Sequence, residues 1–171
     1  MQELNRKSVQ EFKVSGKLPV VVVLDNIRSM HNVGSVFRTA DAFLMQELIL
    51  CGYTPQPPHR DIHKTALGAT ETVDWKYISE TVNAVHELKK KGFRVFAVEQ
   101  VEGSVPLHLL DAIGQPIAVI FGNEVNGVDE QVLQHCDGSI EIPQSGMKHS
   151  LNIAVAAGIV LWELVRNRIS K

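Results

Sequence analysis

Cysteine and long hydrophobic runs are both scarce in this sequence, and each shortage excludes a class of protein. The two cysteines, Cys51 and Cys136, lie far apart without the spacing of metal ligands. This excludes a disulfide scaffold and is typical of thiols in a reducing compartment. The apolar run 153–162 has 10 residues, whereas a membrane-spanning helix needs roughly 18. No signal peptide is visible, so we expect a cytoplasmic protein that does not cross a membrane.

An excess of positive charge is also lacking, because the formal net charge is −2. Proteins that coat nucleic acid by electrostatics alone are usually strongly basic, so this class is disfavoured, although a local basic patch is not excluded. His59 and His63 have the i, i+4 spacing of a metal-ligand pair, but they lie in a proline-rich loop without a third ligand. We therefore expect loop histidines and no metal.

The strand signals predict the fold. Apart from Arg94 at the start of the second run, residues 20–24, 94–98 and 116–121 are apolar without alternation, which is typical of strands buried on both faces of a parallel sheet. Helical segments alternate with them, so we predict an α/β domain with a mainly parallel sheet flanked by helices. One domain over residues 18–171 fits the length, preceded by a peripheral helix or extension in residues 1–17. Ligands bind beyond the carboxyl ends of such strands, here the loops after Leu24, Val98, Phe121 and Ile142.

The remaining elements follow from capping residues and weaker periodicity. Asn32 is a candidate N-cap for a helix that continues to Phe43, and Ser150 for the C-terminal helix. Because the C-terminal helix is apolar on nearly every face, we expect it to be buried on all sides, as a core or interface helix. Further strands are predicted at residues 47–51, 73–78 and 139–142, and further helices at residues 61–69, 81–91 and 129–135.

Three polar stretches follow the ends of predicted strands. They read Asn32-Val-Gly-Ser-Val-Phe-Arg38, Phe121-Gly-Asn-Glu-Val-Asn-Gly127 and Ile142-Pro-Gln-Ser-Gly-Met-Lys-His-Ser-Leu-Asn152. None contains GxGxxG or GxxxxGK, so a Rossmann or nucleoside-triphosphate site is not supported. Taken singly, each is explained equally well as an ordinary strand-to-helix turn. The N-terminus of the C-terminal helix faces residues 144–149, which makes that loop a candidate site for a polar or anionic group.

Together and in this order, the three stretches closely resemble the motifs of the SpoU (TrmH) family of RNA ribose 2′-O-methyltransferases, part of the SPOUT superfamily. The resemblance spans residues 20–168. It implies a C-terminal trefoil knot, a homodimer, and S-adenosyl-L-methionine as the methyl donor. Two positions depart from the family pattern, Met30 in place of a frequent proline and Leu44 in place of a frequent glycine. Both alter loop shape rather than chemistry.

The resemblance also assigns roles to individual residues. The implied catalytic residues are Asn32, Arg38, Glu124, Ser150 and Asn152. The implied cofactor-binding residues are Ala97, Val98, Glu99, Gly122, Ile142 and Leu151. The candidate RNA-binding residues are basic side chains in nearby loops, each of which has the alternative of being a solvated surface charge: Arg28, His31, Arg60, His63, Lys64, Lys148 and His149.

Arg38 allows two interpretations within the family. The family proposal makes the matching arginine the group that activates the 2′-hydroxyl, but a guanidinium is a poor base at neutral pH. We favour binding of the adjacent RNA phosphate and stabilisation of the developing alkoxide. Without its companions, Arg38 reads as a helix-surface arginine in a salt bridge, and Glu124 as a turn carboxylate or its partner.

Two hypotheses from different classes therefore stand. The first is an S-adenosyl-L-methionine-dependent RNA 2′-O-methyltransferase acting on tRNA or rRNA. The second is a catalytically silent RNA-binding or scaffolding relative of the same fold. Methyl transfer to a small molecule is disfavoured by the basic loops. The joint presence of all five catalytic candidates favours the enzyme, because a scaffold has no need of them.

Overall fold

This computed structural model describes residues 7–111, 114–147 and 150–169. The helices are α1 (Val9–Val14), α2 (Met30–Ala42), α3 (Arg60–Ala66), α4 (Ala69–Thr72), α5 (Thr81–Lys90), α6 (Glu130–His135) and α7 (Ile153–Ile169). The strands are β1 (Leu18–Asp25), β2 (Met45–Cys51), β3 (Trp75–Ile78), β4 (Arg94–Val98), β5 (Val105–Pro106), β6 (Ile117–Phe121) and β7 (Gly138–Glu141), with a 3₁₀ turn at Leu107–Leu109.

The strands form one parallel sheet in the order β3-β2-β1-β6-β4-β7-β5. Strands β1, β4 and β6 are central, which explains their runs of β-branched residues: both faces of a central parallel strand are covered by helices. The predicted α/β class with a parallel sheet is confirmed. The trefoil knot implied by the resemblance stays a prediction.

Side chains of β1 alternate between two apolar layers. Val22 and Leu24 pack in the layer that contains the buried residues of α2 and α7. Val21 and Val23 pack in the opposite layer, which contains those of α5 and α6. Because successive residues of a strand point to opposite faces, an unbroken apolar run supplies both layers at once. The sheet is thereby held rigidly enough to fix the loops at its carboxyl edge.

Two helices begin at residues other than those predicted. Ser29 is the N-cap of α2, with its hydroxyl accepting from the Asn32 N–H at 3.2 Å. At α7, the Asn152 side-chain oxygen accepts from the Ala154 N–H at 2.9 Å, and the helix begins at Ile153. The predictions of Asn32 and Ser150 as N-caps are therefore wrong. In both cases another polar residue nearby satisfies the free N–H groups, which leaves the predicted cap available for other contacts.

Other differences concern short elements. The helix predicted over residues 61–69 ends at Ala66, because Leu67 (φ 49°) and Gly68 (φ 91°) adopt left-handed conformations before α4 begins. The loop predicted after Val98 contains β5 and the 3₁₀ turn. A two-residue strand has no periodicity to detect, so only its pairing with β7 reveals it. Within the predicted N-terminal segment, residues 1–17, the structure has the helix α1, Val9–Val14.

Helix α7 is apolar, but within a single chain one of its faces is exposed. Its burial on all sides, as a core or interface helix, therefore stays a prediction that requires a second chain. Ala157, Val160 and Leu161 are buried, whereas Val155 and Trp162 are each about half exposed. The exposed residues share one face of the helix. None of the described helices is both long and apolar enough to cross a membrane.

Candidate functional site

A cavity of about 450 Å³ opens at the carboxyl edge of the sheet. Its walls are the residues that follow β4, β6 and β7, together with the approach to α7 and its first turns. Three of the four loops predicted to hold a ligand thus meet at one place, as expected where neighbouring parallel strands end. The fourth loop, after β1, does not line the cavity but contributes hydrogen-bond donors beside it.

The predicted cofactor residues nearly all line this cavity. They are Val98, Glu99, Gly122, Ile142 and Leu151. Ala97 does not line it, because its side chain is fully buried in the middle of the sheet. A small buried residue at that position supports the wall from behind rather than contacting a ligand.

Two glycines allow the loop after β6 to fold tightly against the cavity. Asn123 and Gly127 exchange backbone hydrogen bonds of 2.9 Å in both directions, which closes the loop. A Cβ atom at Gly122 would lie 2.2 Å from the Gly127 carbonyl carbon. Gly127 itself has a left-handed φ of 69°, and a Cβ there would lie 2.3 Å from the Glu99 carboxylate. Neither position accepts a side chain without rearrangement.

Glu99 supports this loop as well as lining the cavity. Its Oε2 accepts from the Val128 N–H at 3.1 Å, and its Oε1 accepts from the Gln100 N–H at 3.3 Å. The carboxylate therefore connects the end of β4 to the segment that follows the glycine loop. Contacts within the protein therefore hold this carboxylate in position.

Glu124, Asn32 and Asn152 form a hydrogen-bonded line beside the cavity. Glu124 Oε1 accepts from Asn32 Nδ2 at 3.1 Å, and Asn32 Oδ1 accepts from Asn152 Nδ2 at 3.1 Å. Glu124 also accepts from the backbone N–H groups of Arg28 (3.0 Å) and Ser29 (3.2 Å). One residue from each of the three motifs is thus joined directly, and both Glu124 and Asn152 line the cavity.

The environment of Glu124 keeps its carboxyl group ionised. Partial burial by itself raises the pKa, but the hydrogen bonds from the Arg28 backbone, its own backbone, the Asn32 side chain and the Ser29 backbone outweigh burial. The net result is a pKa below the usual range of a glutamate. Glu124 is therefore a carboxylate at neutral pH that organises the loop after β1.

Asn123 is a functional candidate that the sequence did not single out. Its side chain is almost fully buried, and its Nδ2 donates to the Asn26 carbonyl and to the Tyr53 phenol oxygen, both at 2.8 Å. Its Oδ1 accepts from the Val125 and Asn126 N–H groups at 2.9 and 3.0 Å. The sequence signal was its place between Gly122 and Glu124, but its partners lie 97 and 70 positions away and only the fold reveals them.

The two remaining catalytic candidates are placed differently. Ser150 is exposed and lines the cavity. Arg38 is exposed on α2, does not line the cavity of its own chain, and makes no hydrogen bond or ion pair with the part of the chain that the structure describes. The alternative of a salt-bridged surface arginine, with Glu124 as its partner, therefore does not hold within one chain.

The candidate RNA-binding side chains that the structure describes are exposed, but most lie in helices rather than in the predicted loops. His31 is in α2, and Arg60, His63 and Lys64 are in α3. Arg28, Arg60 and Lys64 are exposed, and His31 Nε2 lies 4.0 Å from Asp61 Oδ1. His63 contacts the Thr70 hydroxyl at 3.4 Å. Lys148 and His149 lie outside the described residues.

His59 is the N-cap of α3, with its Nδ1 accepting from the Asp61 N–H at 3.2 Å. Within the described ranges, no three His, Cys, Asp or Glu side chains are grouped so as to hold a metal ion. The described residues of the cavity and of the hydrogen-bonded line are neutral or acidic.

Comparisons with known proteins agree on one family. The family model of the SpoU rRNA Methylase family matches residues 19–162. A tRNA (guanosine(18)-2′-O)-methyltransferase of Thermus thermophilus is 32% identical over 167 residues, which cover 98% of this chain and 84% of that protein. A protein of Staphylococcus saprophyticus, named as a member of the TrmH family of tRNA/rRNA methyltransferases, is 31% identical over 160 residues. That alignment covers 94% of this chain but 64% of the relative.

A solved structure with bound cofactor has the same fold. The AdoMet-bound rRNA methyltransferase from Sinorhizobium meliloti superposes with a TM-score of 0.82 at 29% identity, covering 95% of this chain and 61% of that one. The fold, the motifs and the matched range lead to the same conclusion: this chain belongs to the SpoU rRNA methylase family.

Proposed function

We propose that this protein is an S-adenosyl-L-methionine-dependent methyltransferase that modifies a ribose 2′-hydroxyl of tRNA or rRNA in the cytoplasm. The observation that carries the proposal is the line Glu124–Asn32–Asn152, which joins the three motifs at the rim of a cavity. A binding module needs only a surface, whereas polar side chains that hydrogen-bond to one another at a cavity are typical of a reaction centre. The names of its relatives and the cofactor-bound neighbour support this reading.

The cavity fits the methyl donor in size and in charge. Its volume of about 450 Å³ lies in the usual range for sites of cofactor-sized ligands. The titratable residues that line it are Glu99, Glu124 and Glu141, and no lysine or arginine is among the lining residues that the structure describes. A donor that carries a sulfonium and an ammonium group complements such a wall, whereas a nucleoside triphosphate does not.

When bound, the donor supplies an activated methyl group, so the protein's task is to orient the ribose hydroxyl and assist loss of its proton. Backbone groups of Gly122, Ile142 and Leu151 can hold the adenosine end by hydrogen bonding. Ser150 and Asn152 present a hydroxyl and an amide at the same wall. The Asn32 and Asn152 amides are fixed by Glu124 and by each other, so they need no rearrangement when the substrate arrives.

Arg38 completes this chemistry from a second copy of the chain. The guanidinium is free of protein partners among the described residues and stands outside its own cavity, so it is available to a ribose at the cavity of another chain. Its role is to bind the RNA phosphate and stabilise the developing alkoxide. A homodimer is therefore part of the proposal.

The exposed face of α7 supports that dimer. Val155, Ile159 and Trp162 are 52%, 39% and 51% exposed at i, i+4, i+7 spacing, and Leu151 precedes them with 40% exposure. A contiguous apolar stripe on a helix is typical of an interface between chains. Because α7 packs against α2, this interface would bring a second α2, with its Arg38, towards the site.

The decisive experiment uses purified protein, S-adenosyl-L-methionine with a labelled methyl group, and bulk RNA from cells that lack the gene. Mass spectrometry of the digested nucleosides is expected to show the label on one 2′-O-methylated nucleoside. The matched control is Asn32→Ala, which should abolish labelling while donor binding remains. Donor binding without any labelled RNA would support the catalytically silent relative instead.

A further inference from the structure

Tyr53 places an aromatic ring on the surface directly beside the proposed reaction centre. The side chain is 59% exposed, although the residues on either side of it are largely enclosed. Its phenol oxygen accepts from Asn123 Nδ2 at 2.8 Å, and Asn123 is the chain neighbour of Glu124. Tyr53 is thus attached to the residue that precedes Glu124, whose carboxylate accepts a hydrogen bond from Asn32.

The backbone around this ring is fixed at several points. The Tyr53 N–H donates to Asn26 Oδ1 at 3.1 Å. The next residue, Thr54, is buried, with its hydroxyl donating to the Leu24 carbonyl at 3.0 Å and accepting from the Ile27 N–H at 3.0 Å. An exposed aromatic side chain held in this way loses little conformational entropy when something stacks on it.

An exposed cation belongs to a residue whose backbone contacts Glu124, the residue after Asn123. The Arg28 backbone N–H donates to Glu124, and its exposed guanidinium has no partner within the described part of the chain. The Tyr53 hydroxyl contacts Asn123 and the Arg28 backbone contacts Glu124. One residue with an exposed π-face and one with an exposed positive charge are thus both attached to the same short segment at the cavity. Proteins that hold single-stranded RNA combine these two groups, one for the base and one for the phosphate.

We propose that Tyr53 is a substrate-positioning residue on which a nucleobase of the RNA stacks, at or next to the nucleotide that is methylated. This inference rests on the proposed function, and it adds a contact that the three motifs do not contain. The adenine of the methyl donor is not the partner, because Tyr53 does not line the cavity. The target nucleotide must then be unpaired at the moment of reaction, since a base in a duplex has no free face.

The test separates the ring from its hydroxyl group. Tyr53→Phe keeps the π-face and loses the contact with Asn123, whereas Tyr53→Leu keeps only apolar volume. Stacking predicts that Tyr53→Phe retains the RNA KM within about threefold, while Tyr53→Leu raises it roughly 5- to 150-fold, the typical range for loss of base stacking on an aromatic side chain. Donor affinity should be unchanged in both.

Tyr77→Leu is the matched control. Tyr77 is 41% exposed and its hydroxyl donates to the carbonyl of Gly52, the residue before Tyr53, at 2.9 Å. The Tyr77→Leu variant therefore removes a neighbouring exposed tyrosine but leaves the Tyr53 ring, the proposed stacking surface, in place. An equal rise of the RNA KM in Tyr77→Leu and Tyr53→Leu would show that the effect arises from a distorted turn at Gly52. An equal rise in Tyr53→Phe and Tyr53→Leu would show that it arises from the lost contact with Asn123. Either result would overturn the proposal. An unchanged RNA KM in Tyr53→Leu would overturn it as well.

A binding measurement keeps the test independent of methyl transfer. The probe is a single-stranded RNA decamer with one 2-aminopurine, whose fluorescence falls when the base stacks. Parent and Tyr53→Phe should quench it, and Tyr53→Leu should not. If the parent protein quenches the probe but labels no RNA, the proposed enzymatic activity is refuted and the stacking role of Tyr53 stands. If the parent protein does not quench the probe, the stacking role is refuted.

Discussion

Asn32 and Asn152 stand 120 positions apart in the chain and are joined by a hydrogen bond of 3.1 Å between their side-chain amides. Asn32 uses its oxygen for this contact and its nitrogen for Glu124, so both ends of its amide are assigned. The start of α2 is thereby tied to the start of α7 and to the loop after β6. This connection is the basis of the first prediction.

The contact between Asn32 and Asn152 should appear as an energetic coupling. Asn152→Ala also removes the cap of α7, so single variants mix two effects, and a double-mutant cycle with Asn32→Ala isolates the contact. We expect a coupling free energy of about 0.5 to 1.5 kcal/mol in urea unfolding, the usual net value of one hydrogen bond. Additivity within roughly 0.3 kcal/mol would contradict a direct contact in solution.

Arg38→Ala should separate donor binding from methyl transfer. Donor affinity should stay within about twofold, because Arg38 does not line the cavity, whereas the single-turnover rate on the target RNA should fall roughly 10² to 10³-fold. Arg38→Lys should recover only part of the lost single-turnover rate, since an ammonium lacks the planar fork of a guanidinium. A rate within about threefold of the parent for Arg38→Ala would identify a surface arginine instead.

A charge on the exposed face of α7 should dissociate the dimer. Trp162→Glu is expected to shift sedimentation at micromolar concentration from dimer to monomer, because an apolar interface does not accommodate an unpaired carboxylate. Val14→Glu is the control, since Val14 is 85% exposed on α1 and belongs to a different face. Loss of methyl transfer in Trp162→Glu with donor binding retained would support a reaction centre shared between two chains. A parent protein that sediments as a monomer would exclude such a shared centre.

Gly127→Ala should be far more damaging than a comparable change elsewhere. It introduces a left-handed alanine and forces its Cβ against Glu99, which must leave the Val128 N–H. We expect the free energy of unfolding to fall by more than about 2 kcal/mol and donor affinity to fall with it. Gly103→Ala is matched, with a φ of 81° but nothing within 4 Å of the new Cβ, and should cost only about 1 to 2 kcal/mol. Equal effects would refute the role of Glu99.

The buried thiol of Cys51 should lower the free energy of unfolding at alkaline pH. Burial raises the pKa of its thiol to about 12, from about 9 in an accessible cysteine. Between these values the unfolded chain loses a proton that the folded chain keeps, so stability falls as pH rises through that window and is unaffected below it. Urea unfolding at pH 7 and pH 10.5 should show a smaller decrease for Cys51→Ala than for the parent. An equal decrease would place the effect on other groups.

The local sequence was sufficient for the fold class and for most elements. Short, β-branched apolar runs without alternation are typical of strands in a sheet covered on both faces, so β1, β4 and β6 were recognisable from their composition. The three motifs were recognisable because particular polar residues follow these strands. Whole-chain resemblance, rather than periodicity, then connected the motifs to a chemistry.

Tertiary structure decided how those residues are used. Ser29 and Asn152 cap the helices that Asn32 and Ser150 were expected to cap, because capping depends on backbone geometry as well as on residue type. The partners of Asn123 and the exposure of Tyr53 follow from strand order, which places the end of β1 between those of β2 and β6. Contacts of this kind join residues distant in sequence, and no local pattern specifies them. The sequence thus determined which groups are present, and packing of the sheet determined which of them meet.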